Sequence, residues 1–115
     1  MPQKRVALEI GFGASLRRAD YTAAARRAVE NALWRNSLNM AETLNAPKSA
    51  MILDVDIATQ NPDAVDTDAV AALFPYGQVR VTSSFGGLDV AKPEGSGKTV
   101  IANAAIVVSF DMVPA

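Results

Sequence analysis

The sequence predicts an α+β fold, a two-layer α/β sandwich of order β-α-β-α-β-β with a four-stranded sheet and two helices on one face. Three observations predict it. Val6–Ile10, Met51–Ala58, Gln78–Phe85 and Thr99–Phe110 alternate or run apolar with β-branched residues; two stretches at helical spacing separate the first three; and Gly, Pro and Asn punctuate the joins. The chain of 115 residues is 50% hydrophobic and 20% charged. That composition suits one packed domain, residues 1–115, rather than a disordered segment.

Val6-Ala7-Leu8-Glu9-Ile10 alternates and meets Gly11, so the first strand ends there and Gly11-Phe12-Gly13-Ala14-Ser15-Leu16-Arg17-Arg18 reads as a loop. Asp20 is an N-cap, its carboxylate accepting from first-turn amides, for a helix from Tyr21 to about Asn36. Ala25, Ala28, Val29, Ala32 and Leu33 recur at helical spacing, with Arg26, Arg27, Glu30 and Arg35 mostly opposite, so this amphipathic helix covers a sheet. A connector runs to Pro47. In the second strand Leu53, Val55 and Ile57 face one way and Ile52, Asp54 and Asp56 the other.

Asn61-Pro62-Asp63 is turn chemistry, and Asp66 or Thr67 caps a short helix to about Phe74 that Pro75-Tyr76-Gly77 stops. Gln78–Phe85 is the third strand, Gly86-Gly87 marks a bulge or close backbone approach, and Pro93–Gly97 is a turn. Thr99–Phe110 is apolar nearly throughout, which predicts a central strand buried on both faces. The sheet face away from the helices then carries Glu9, Asp54, Asp56, Arg80 and Thr82 mixed with Ile52 and part of the last strand. That mixture is too apolar for water, so packing against another subunit is expected.

Composition thins the list of chemistries. There is no histidine and no cysteine, which removes the commonest general base, the thiol nucleophile and nearly all tight zinc sites. A net charge of −1 argues against a nucleic-acid partner. No apolar run reaches the roughly 18 residues of a membrane span, so a cytoplasmic protein with no membrane partner is expected. Charge is nevertheless uneven: through Ser49 there are eight Lys/Arg against four acids, and thereafter three against eight. A charged helix lying over an acidic sheet edge accounts for this, as does contact between opposite halves of neighbouring protomers.

The motifs that suggest chemistry are incomplete. Gly95-Ser96-Gly97-Lys98-Thr99 has the ending of a phosphate-binding loop, but the glycine required five places before Gly97 is Lys92 and a strand follows; a hairpin turn is the better reading. Gly11-Phe12-Gly13 starts a dinucleotide fingerprint whose third glycine position is Leu16, so a turn with positive φ is expected instead. Asp54 and Asp56 share a strand face as a cation site would need, with only Glu9 as a further oxygen ligand, and solvation or pairing with Arg80 fits them better. Ser83, Ser84 and Lys98 are the residue types of a serine and lysine nucleophile pair. Nothing in the spacing brings them together.

Several short motifs share one resemblance. The Gly11 segment, Ala23–Val29 leading to Asn36-Ser37-Leu38, Phe74-Pro75-Tyr76-Gly77, Gly86-Gly87-Leu88 and Ile101–Ala105 resemble a small Lin-type family of conserved hypothetical proteins over nearly the whole chain. The resemblance implies a similar small α/β fold and no established activity. The family's best-marked motif is Gly-x-Gly-x-Asp-x-His-Gly; here Gly11 and Gly13 match, while Ser15, Arg17 and Arg18 stand at the Asp, His and last Gly positions. An Asp and a His two residues apart on an extended segment suit metal chelation or acid/base work. Ser15 and Arg17 suit neither, because a guanidinium stays protonated and a neutral hydroxyl is a poor zinc ligand.

Two functions follow. In one, the chain is a divergent, non-catalytic structural or regulatory subunit of a homo-oligomer, or of a hetero-oligomer with a paralogue that keeps the motif. In the other, it is an enzyme or binder whose Ser15 and Arg17 hold a small anionic metabolite at a subunit interface. The candidate ligand-binding residues are Gly11, Gly13, Ser15, Arg17, Asn36, Gly86 and Gly87; no cofactor and no metal is implied.

Overall fold

The computed structural model describes residues 3–16, 19–35, 51–74, 77–93, 95 and 97–111, with side chains from Leu8 onward except those of Trp34, Arg35 and Asp111. Arg17, Asn36 and the connector to Pro47 lie outside them. The elements in order are β1 (Gln3–Ser15), α1 (Tyr21–Arg35), β2 (Met51–Thr59), a 3-10 turn (Pro62–Ala64), α2 (Thr67–Ala71), β3 (Gln78–Phe85), β4 (Leu88–Ala91) and β5 (Lys98–Asp111). The fold is mixed α/β, with five strands among the described residues rather than the four predicted.

The caps form as the sequence requires. Asp20 Oδ1 accepts from the Ala23 amide at 3.0 Å and Asp66 Oδ1 from the Ala69 amide at 3.2 Å, each satisfying a first-turn donor that the helix cannot. Thr22 ties the helices together: its Oγ1 donates to Ala64 O at 3.2 Å and accepts from the Asp66 amide at 2.8 Å.

The sheet runs β1-β5-β2-β3, with β4 also on β5. β1, β2 and β4 are antiparallel to β5, and β3 is parallel to β2. β2 occupies residues 103–110 of β5 and β4 occupies 98–101, so the two share one edge of β5 end to end. The chain therefore leaves β3, crosses the end of β2 and takes up the rest of that edge as β4. Gly86-Gly87 makes the crossing, where the sequence pointed to a bulge or a close approach. The Gly86 amide donates to Thr59 O at 2.8 Å, and Gln60 Nε2 donates to the carbonyls of Gly86 at 2.9 Å and Gly87 at 3.3 Å. Gly87 has φ +63°, and a Cβ there would strike Ile101 O and lie 2.9 Å from Ala58 O. Only glycine fits both the conformation and the space.

β1 is the main correction. The predicted Gly11 loop is strand, registered on β5 as Gly11 opposite Ala104, Gly13 opposite Ala102 and Ser15 opposite Val100. Neither Gly11 nor Gly13 has positive φ. Both glycines lie under α1: a Cβ on Gly11 would stand 2.5 Å from Ala32 N, and one on Gly13 2.6 Å from the Arg27 carbonyl carbon. Glycine here permits close packing of helix on strand rather than a turn.

The core lies between α1 and the sheet. Ala24, Ala25, Ala28, Val29 and Ala32 of α1 meet Leu53, Val55 and Ile57 of β2 and Val100, Ala104, Ile106 and Phe110 of β5, with Val65, Val70 and Phe74 joining from the α2 region. Each large side chain so buried contributes about 1.5–3 kcal/mol. Two further expectations are corrected. Glu9 lies on the α1 side of β1, opposite Ile106, because it alternates with Leu8 and Ile10, which pair with Val107 and Ala105. β5 is fully buried along that side; on the other, Ser109 is buried, Ile101, Ala105 and Val107 are half-buried and Asn103 is exposed. Among the described residues no helix is long and apolar enough to cross a membrane.

Candidate functional site

Three of the candidate residues converge on Val100–Ala102 of β5. Gly13 pairs with Ala102, Ser15 with Val100, and Gly87 lies against Ile101 O from the opposite edge. Asp89 of β4 also pairs with Val100, so Ser15, Val100 and Asp89 form one row across three strands. Side chains in such a row share a face. That face is covered by the first turn of α1.

Tyr21, the first residue of α1, donates from its hydroxyl to Asp89 Oδ2 at 2.6 Å. Lys98 Nζ reaches the same oxygen at 3.0 Å and lies 5.5 Å from the centroid of the Tyr21 ring. Hydrogen bonding to Tyr21 and then to Asp89 raises the Lys98 ammonium above its ordinary value of 10.5. Because each group offers what another needs, the three hold the start of α1, β4 and the start of β5 together. Asp89 Oδ1 and Thr59 Oγ1, on either side of the crossing, are buried with no hydrogen-bond partner among the described residues. Ser15 is itself buried, and its Oγ accepts from the Asp20 amide at 3.2 Å. Its hydroxyl thus helps shape the approach to α1.

The other candidates are dispersed. Gly11 sits further along β1, opposite Ala104, and Gly86 lies in the crossing against Ala58. Sequence reasoning missed Tyr21, Asp89 and Lys98 as a cluster. A usable signal was present in Leu88-Asp89-Val90-Ala91, whose alternation places one acid on the opposite face from two aliphatics.

The nucleotide-loop segment closes the β4–β5 hairpin, with the Lys92 amide donating to Gly97 O at 2.9 Å and Gly95 and Gly97 at φ +75° and +122°. Ser83 Oγ donates to Pro62 O and Ser84 Oγ to Asp56 Oδ1, both at 2.8 Å, so neither serine meets Lys98. Arg80 makes a two-pronged pair with Asp54, Nε to Oδ1 at 2.6 Å and Nη2 to Oδ2 at 2.8 Å. Together with Asp56, Thr82, Ala105 and Val107 this pair lines a shallow hollow of about 300 Å³ on the sheet face away from α1. Among the described residues no group of three or more acids gathers as a metal site would require.

That same sheet face is rich in uncovered apolar surface. Leu8, Ile10 and Phe12 of β1 are 49%, 62% and 61% exposed, and Leu88 and Val90 of β4 are 55% and 44% exposed. The register sets Leu8 beside Val107, Ile10 beside Ala105 and Leu88 beside Ile101, so these side chains form an apolar tract that only the exposed Asn103, beside Phe12, interrupts on β5.

A solved structure from Nostoc punctiforme, described as an FtsZ-like protein of unknown function, matches with a TM-score of 0.85 and 32% sequence identity, covering 97% of this chain and 99% of that one. No protein of curated function matches. The sequence model of the family described as "Conserved hypothetical protein (Lin0512_fam)" matches residues 5–108, and the chain belongs to that family.

Proposed function

We propose that this chain is a structural, non-catalytic subunit of a cytoplasmic homo-oligomer, built as two layers whose helices cover one sheet face and whose other face meets a second copy. The observation that carries this reading is the tract of Leu8, Ile10, Phe12, Leu88 and Val90, all 44–62% exposed on one face. Water-facing sheet faces normally alternate to polar residues, and a contiguous apolar tract marks an interface.

The occupant is argued from charge and size. Arg80 is paired with Asp54 and Asp56 accepts from Ser84, so these polar groups are met within the protomer and do not call for an oppositely charged partner. An uncharged apolar tract is its own complement under a two-fold axis, with the polar strands as its rim. Four strands measure roughly 20 Å across and eight residues roughly 25 Å along. That footprint, about 500 Å² in projection and more in accessible area, approaches the ~800 Å² per partner of a standard interface. Ser15 supports the non-catalytic part, being buried with its Oγ engaged by the backbone.

Native mass and light scattering on the wild type and on Phe12→Glu test the proposal. A wild-type dimer or larger closed assembly is expected, with Phe12→Glu monomeric and unchanged in far-UV circular dichroism. A monomeric wild type, or a Phe12→Glu protein that keeps the wild-type mass, overturns it.

A further inference from the structure

Among the described residues β1 lies at the end of the strand order, with β5 on one side only. Its outer edge presents backbone groups that another strand can join, the usual route to edge-to-edge association. Two side chains of α1 engage that edge. Asn31 Oδ1 accepts from the Phe12 amide at 3.2 Å, and Arg27 Nη1 donates to Ala14 O. Residues two apart in a strand direct their backbone groups to the same edge, so Phe12 and Ala14 both turn amide and carbonyl to the outer side, and the two side chains take the first donor and the last acceptor of that stretch.

Arg27 and Asn31 are four residues apart and so neighbours on the helix surface. Among the described residues both contact backbone, and both reach it because Gly11 and Gly13 let α1 sit directly on β1. The carboxamide supplies the acceptor that an amide needs and the guanidinium the donor that a carbonyl needs. A strand from another chain pairing here must displace both.

We propose that Arg27 and Asn31 guard the edge of β1 against strand addition by a second copy of this chain, whose own β1 is the matching antiparallel partner. Only the corollary that association is thereby confined to the open sheet face rests on the subunit reading above. Antiparallel pairing of two β1 edges uses both of them, so it closes as a two-fold pair in which the sheet and the Leu8–Phe12 tract run on across both protomers.

The experiment is sedimentation velocity over a concentration series on the wild type, Arg27→Ala/Asn31→Ala and Asn31→Asp. The double variant is expected to form species of at least about twice the wild-type mass whose share rises with concentration. Asn31→Asp, which keeps an acceptor for the Phe12 amide, is expected to match the wild type. A folded double variant with the wild-type size distribution overturns the proposal. Should the double variant fail to fold, amide exchange in Asn31→Ala decides: Phe12 exchanging roughly tenfold faster is expected, and an unchanged rate overturns it. These outcomes do not depend on Phe12→Glu, so the guard and the open-face interface fail separately.

Discussion

On one face of β1, Gly11 and Gly13 disappear beneath α1; on the other, Leu8, Ile10 and Phe12 stand about half to two-thirds exposed. The same strand thus contributes its smallest residues where the protein has already packed and its largest apolar ones where it has not. In a single protomer this is the reverse of an economical arrangement, because burial of Phe or Ile stabilises far more than burial of glycine. The inversion makes sense if the glycines set the distance of the helix and the large side chains meet another molecule. The two faces therefore teach different things: the covered one explains folding and the open one carries the proposed association.

The comparison breaks most sharply at Gly13. Gly13→Val places a branched side chain against the α1 backbone at Arg27 and Ala28, and is expected to cost at least about 3 kcal/mol because main chain cannot move aside as a side chain does. Urea denaturation checks this; a loss under 1 kcal/mol, on the order of a tolerated core swap, would mean α1 does not rest on β1. Ala14→Val, its half-exposed neighbour directed to the open face, is expected to leave the midpoint nearly unchanged.

A smaller effect is expected at the other end of α1. Tyr21→Phe removes the hydroxyl that donates to Asp89, and a hydrogen bond to a charged group contributes about 1.5–3 kcal/mol. Thermal unfolding should register the loss, and Asp89→Asn should lose less than Asp89→Ala because the amide still accepts from Tyr21. Equal losses for the two Asp89 variants would reduce the cluster to simple packing.

The smallest effect concerns Lys98. Its ammonium is raised above 10.5 in the folded protein, so the folded state holds the proton more tightly than the unfolded chain. The associated stabilisation is fully present below the ordinary value and fades as pH rises through the raised folded one. The difference in melting temperature between wild type and Lys98→Met should be constant from neutral to about pH 9 and shrink above about pH 10.5. A difference that grows with alkalinity contradicts the assigned contacts.

Much of this architecture was legible in the residues. The third strand, Gln78–Phe85, has the predicted limits, α1 begins at Tyr21 behind its Asp20 cap, and the faces of β2 divide as its alternation required. What misled was glycine: in Gly11-Phe12-Gly13 it reads locally as a turn, and only the presence of Ala28 and Ala32 overhead, distant in sequence, turns it into a packing device. β4 escaped because four residues between Gly86-Gly87 and Lys92-Pro93 are too few for a periodicity. The Tyr21–Asp89 contact spans 68 positions, and no local pattern encodes it. The seven candidate residues were legible as a motif and not as a place; Gly13, Ser15 and Gly87 share one end of β5, while Gly11 and Gly86 serve packing elsewhere.

The central claim is that the open sheet face meets a second copy, and the absence of cysteine from the sequence allows a direct measurement. A single spin label at Thr82→Cys, exposed on the open face, is compared by dipolar spectroscopy with one at Arg26→Cys, exposed on α1. Strong coupling between protomers from Thr82 and weaker coupling from Arg26 is the result expected; no coupling from Thr82, or stronger coupling from Arg26, contradicts it.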